Sequence, residues 1–139
     1  MRFVQLLLAG STFIALFSCK KSLELGSSTF VSWNDCSQNR GDHIKICFDS
    51  LLEESRCPIG AHCFWEGRAV AKFSFTVDKD ERPVTLTTIK FGSTGMPHYP
   101  PDTIILGYKI ELVNLLPYPE LYKNYTASQY RAELKITKQ

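Results

Sequence analysis

The segment GRAVAKFSFTVD, residues 67–78, places Ala69, Ala71, Phe73, Phe75 and Val77 on one side of an extended chain and Arg68, Lys72, Ser74 and Thr76 on the other. A repeat of two is that of a β-strand, whose successive side chains leave on opposite faces, so this segment reads as a half-buried strand. The same alternation recurs in HIKICFDSL (Ile44, Ile46 and Phe48 against Lys45, Cys47 and Asp49), in PVTLTTIKF, in TIILGYKIELVNLL and in QYRAELKITK. No window of a dozen residues carries a helical stripe. The pattern predicts an all-β domain, either an antiparallel sandwich (Ig-like or a similar Greek key) or a partly open barrel. Between the strands, LLEESR is expected to make one helical turn and DKDER (78–82) a charged hairpin loop. GSTGMPHYPPD is expected as a long loop, and Gly107 as a bend or bulge.

The first residues, MRFVQLLLAGSTFIALFSC, carry one cation at Arg2, then a mostly apolar run to Phe17, then a small residue before Cys19. That is the layout of a secretory signal, and the run is short for a membrane span. The ending Leu16-Phe17-Ser18-Cys19 resembles the lipobox of bacterial lipoproteins, with Phe17 bulkier than usual at its place. The resemblance implies cleavage after residue 18, lipid on Cys19, and a protein tethered to a membrane of the cell envelope, on its periplasmic or cell-surface face, rather than spanning it. The expected organisation is a signal peptide over 1–18, a lipidated cysteine and flexible tether over 19–30, and one β domain over 31–139. Loss of residues 1–18 removes one cation and no acid, leaving 15 basic against 14 acidic residues. That balance does not suit a nucleic-acid partner, which calls for a strongly basic face.

Five cysteines become four once Cys19 is assigned to lipid. An even number in an oxidising compartment argues for two disulfides, and four cysteines allow three pairings. Cys36–Cys47 and Cys57–Cys63 are preferred because each closes a short local loop, worth roughly 2–3 kcal/mol in the chain-entropy model. Within CPIGAHC, Pro58 fixes φ and Gly60 permits a positive φ, as a tight stapled turn needs. Trp65 is placed to pack on the bridge, and Gly67 lets the chain straighten into a strand. The alternative is a metal-binding or thiol-active protein that uses Cys57 and Cys63 with His43, Cys47 and His62. Against it, five residues separate the cysteines where structural zinc sites use two to four, and a Cys-x-x-Cys is missing.

A strand, then SRCPIGAHCFWEGRAVAKF, then YKIELVNLLPYP, then a closing YRAELKI strand, resembles a group of small bacterial lipoproteins and secreted domains of Bacteroidetes-like sequences. Arg56, Cys57, Pro58, Cys63, Trp65 and Gly67 carry the resemblance, extended by Pro117 and Pro119. It implies a disulfide-stapled β domain and brings no reaction with it.

The chain shows no nucleophile elbow and no phosphate-cradling glycine loop, and three histidines are its only neutral-pH bases. Two carboxylate groupings, Glu53-Glu54 and Asp78/Asp80/Glu81, read as a solvated turn and a hairpin tip. No catalytic activity, metal or cofactor is therefore expected. Binding is the better expectation: His98 and Tyr99 sit among prolines in GMPHYPPD, and Tyr118, Tyr122 and Tyr125 in LLPYPELYKNY. Tyrosine gives a large contact area at low entropy cost, suited to a protein or carbohydrate partner, provided the two loops share one end of the domain. The reading is a lipid-anchored binding or accessory module of the envelope.

Overall fold

A computed structural model describes residues 22–89 and 99–139. Eight strands run in the order β1 (Ser28–Ser32), β2 (Cys36–Asn39), β3 (Ile44–Glu54), β4 (Ala69–Val77), β5 (Asp80–Thr87), β6 (Asp102–Ile105), β7 (Tyr108–Leu116) and β8 (Arg131–Lys138). They form two four-stranded antiparallel sheets, β2-β3-β4-β5 and β1-β8-β7-β6, packed face to face as a sandwich. Each sheet is a meander of consecutive hairpins, and β1 joins the second one beside β8.

The alternation read from the sequence is the alternation that builds the core. Ile44, Ile46 and Phe48 of β3, Ala71, Phe73 and Phe75 of β4, Ile110 and Leu112 of β7, and Ala132, Leu134 and Ile136 of β8 are all buried. Phe48 faces Phe73 across the β3–β4 ladder with ring centroids 5.2 Å apart, and Phe75 meets Tyr108 of the other sheet edge-on at 5.7 Å. Parity changes where a bulge intervenes: after the register shift between Leu112 and Asn114, the next buried residue of β7 is Leu115.

Several expectations need correction. LLEESR is not a helical turn, because β3 runs on through it to Glu54 with two bulges. The DKDER loop shrinks to the two residues Asp78 and Lys79, since Val77 already pairs with Asp80. Gly107 is neither a bend nor a bulge: with Leu106 it makes a two-residue turn, both at positive φ, between β6 and β7. The tether expected over 19–30 belongs to the sandwich from Ser22 onward. Leu23 is buried, its N–H donates to Gln38 O at 3.0 Å, and Gly26 N–H donates to Ile136 O at 2.8 Å. Cys19 and the whole of 1–18 lie outside the described residues, as does His98.

Both preferred disulfides are present. Cys36 and Cys47 face each other across β2 and β3, and Cys57–Cys63 closes the stapled loop.

The two ends of the sandwich differ. One, the turn end, carries the tight connections at 40–43, 78–79 and 106–107. The other, the loop end, carries the long ones: 55–68 between β3 and β4, 88–101 between β5 and β6, and 117–130 between β7 and β8. Phe73→Ala, which empties the centre of the core, is expected to cost about 3–5 kcal/mol in urea unfolding. A loss below about 1 kcal/mol would show that the two sheets are not held by this packing.

Candidate functional site

The loop end is built around Arg56, which is 5 % exposed. β3 delivers Glu54 two residues ahead of it. Glu54 and Arg56 form a fork-to-fork pair in which Arg56 Nε donates to Glu54 Oε1 at 2.9 Å and Nη2 donates to Oε2. The remaining donors cross to the other sheet: Nη1 reaches Leu115 O at 2.7 Å and Nη2 reaches Pro117 O at 3.1 Å, on either side of the cis Leu116–Pro117 peptide. The guanidinium carbon lies 4.6 Å from the centroid of the Tyr118 ring, a cation–π contact. One side chain thus closes β3, the end of β7 and the start of the 117–130 loop into a single unit.

A second pair lies beside it. Arg68 donates from Nε to Glu53 Oε2 at 2.9 Å, and this bond holds the Glu53 carboxyl below its ordinary value. Glu53 and Glu54 are therefore arginine partners at the end of a strand, not a solvated turn. Tyr130 is buried next to them, and burial, followed by the charge of Glu54, pushes its phenol up.

The neck of the stapled loop continues the β3–β4 hairpin. Ser55 N–H donates to Arg68 O at 2.8 Å and Cys57 N–H to Glu66 O at 2.8 Å. Gly67 is required where the chains cross: at φ +66° its missing Cβ would lie 1.7 Å from Ser55 O. Its role is close approach rather than straightening. Inside the loop, Ala61 N–H closes a turn on Pro58 O at 3.0 Å with Gly60 at φ +90°, the task expected of Gly60.

The stapled loop is fastened to the tyrosine loop by a short parallel bridge. Ile59 donates to Pro119 O at 2.9 Å, and its carbonyl accepts from Leu121 N–H at 3.1 Å. The stapled turn, 55–68, and the tyrosine loop, 117–126, are thereby brought together, a contact the sequence did not suggest.

The side chains then divide by role. Tyr118 is stacked on Arg56 and 37 % exposed. Tyr125 is tied inward, donating its hydroxyl to Glu120 Oε1 at 2.9 Å and leaning edge-on against Tyr130. Tyr122 points to solvent with 96 % of its surface exposed. Trp65, expected against the disulfide, keeps 39 % of its surface exposed, and Phe64 beside it is fully exposed. Tyr99 is exposed on the 88–101 connection, at the same end of the sandwich.

Ile59, Phe64 and Leu121, also exposed, were not singled out from the sequence. The available signal was large apolar residues in PIGAHCFW and YPELY, loops too rich in turn residues to continue a strand. The metal alternative is not assembled. The four cysteines among the described residues are all in disulfides, His43 sits at the turn end and His62 at the loop end, and no metal-holding group of His, Cys, Asp and Glu is found among those residues.

No protein-family model, curated protein or solved structure matches the chain. The site must therefore be read from its own chemistry. It is an apolar and aromatic surface on two loops that are braced by a disulfide, a backbone bridge and a buried arginine.

Removing Arg56 leaves Glu54, 19 % exposed, without its partner and strips Leu115 O and Pro117 O of a donor. Arg56→Met is expected to lower the unfolding free energy by about 3–5 kcal/mol, and adding Glu54→Gln to the same chain to restore part of it. If neither change moves the urea midpoint, the pair is not a structural clasp.

Proposed function

We propose that the protein is a binding module of the cell envelope, held to a membrane through lipid on Cys19, that engages a protein or carbohydrate partner with its loop end and catalyses no reaction itself. The observation that carries the reading is the group of exposed Ile59, Phe64, Trp65, Tyr118, Leu121 and Tyr122 on two mutually fastened loops. Exposed apolar side chains gathered at one end of a small domain mark interaction sites, and aromatic residues are the usual anchors of such sites. Bracing matters for the same reason: a surface ordered before its partner arrives loses less entropy on binding.

The two disulfides place the domain in a non-reducing, extracytoplasmic environment. Within that setting, the Leu16-Phe17-Ser18-Cys19 sequence supports the lipid anchor, and the resemblance of the Arg56-Cys57-Pro58 … Cys63-x-Trp65-x-Gly67 pattern to small envelope lipoproteins supports the same location.

The test uses a photoreactive benzophenone side chain placed at Tyr122 in cells, compared with the same group at Lys135 on the outer face of β8. A discrete adduct with an envelope protein or glycan is expected from position 122, none is expected from 135, and Phe64→Ser should abolish the adduct without lowering the thermal midpoint. Equal adducts at the two positions, or an adduct indifferent to Phe64→Ser, would contradict the reading.

A further inference from the structure

We propose that the turn end of the sandwich rests against the headgroups of the bilayer that holds Cys19, so that the aromatic loop end projects away from the membrane. The proposal rests on the lipid-anchor reading above and goes beyond it by fixing which face of the domain meets the membrane.

Ser22 is the first of the described residues. Ser22 is bridged to Gln38, and Gln38 pairs with Lys45, one residue from the start of β3 at the turn end. Leu23 is buried and its N–H is held by Gln38 O, so this attachment belongs to the fold. Only Lys20 and Lys21 separate Cys19 from Ser22. Three residues of chain span at most about 11 Å. Glu54, where β3 reaches the loop end, lies farther along the same strand by roughly 30 Å at the usual rise. A lipidated Cys19 can therefore reach the turn-end half of the sandwich and not the aromatic loops.

The chemistry of the turn end suits that neighbour. Arg40 and Lys79 are exposed on two of its three turns, and Lys138 is nearby with Asp42 at 3.9 Å. A cleft of about 380 Å³ opens there, lined by Gln38, Asn39, Arg40, His43, Lys45 and Asp78. Cations at this level meet lipid phosphates. Among the described residues the turn end exposes one large apolar side chain, Ile104, whereas most of the others, Phe64 and Tyr122 foremost, lie at the loop end. The two ends are thus fitted to different neighbours: charged and amide groups toward headgroups, aromatic rings toward a partner.

The experiment uses the full lipidated protein in vesicles of phosphatidylethanolamine and phosphatidylglycerol, with the benzophenone group at Lys79 in one preparation and at Phe64 in another. Arg40 serves as a second turn-end position should the Lys79 variant fail to fold. Mass spectrometry of the mature N-terminal peptide first establishes acylation of Cys19. Phospholipid adducts are expected at least about fivefold more often from position 79 or 40 than from position 64. On an acylated protein, equal yields or an excess at 64 would overturn the orientation and leave the anchor standing. A mature chain with no acyl mass on Cys19 would overturn the anchor, and the orientation with it.

Discussion

The loop end of this domain hangs on one buried guanidinium. A planar fork with five donors can satisfy a carboxylate on one edge and still reach two carbonyls on a facing chain, which no other side chain does. Arg56 uses that geometry to join Glu54 of one sheet to Leu115 of the other and to Pro117 of the loop that follows it, with Tyr118 over its face. A buried ion pair is not in itself a source of stability, since desolvation offsets much of the attraction. What it supplies here is a fixed relation between two loops whose conformations would otherwise be independent. The Cys57–Cys63 disulfide limits one of those loops, and the Ile59 bridge to Pro119 and Leu121 ties it to the other.

The strands that could be read from the sequence are those in which an apolar face alternates with a polar one: β3, β4, β7, β8 and the second half of β5. β1 and β2 could not, for a physical reason. CSQN has no apolar side chain beyond its cysteine, and only Ser37 of β2 is buried. Its place is fixed by pairing with β3 and by the Cys36–Cys47 bridge. The continuation of β3 through LLEESR was hidden by bulges, which break the two-residue repeat that identifies a strand. The hairpin at Leu106-Gly107 was hidden because a leucine occupies a left-handed turn position where asparagine or aspartate would have signalled it.

The site was legible in its parts and not in its assembly. Pro58, Gly60 and the two cysteines announce a stapled turn, and the prolines and tyrosines after residue 116 announce a rigid loop. Nothing in either stretch shows that the two touch, because the contact is made by Arg56 across 59 residues of sequence and by backbone groups that carry no side-chain signal. The burial of Arg56 decides the roles of its neighbours: Tyr118 becomes its cover, Tyr125 an internal strut, and Tyr122 with Phe64 the exposed surface. Toward the opposite end of the sandwich, where the turns are tight, Ser22 and Leu23 are attached to Gln38 of β2. The separation of Ser22 from the aromatic surface fits the proposal of a domain held at one end and binding at the other.

The most direct test of the clasp is amide hydrogen exchange at Ile59 and Leu121, compared between the native chain and Arg56→Lys, which keeps the charge and loses the fork. The account predicts that both amides lose protection together while those of Phe73 and Leu134 in the core keep theirs. Unchanged protection at Ile59 and Leu121, or loosening of only one of the two loops, would contradict the claim that Arg56 holds them as one surface.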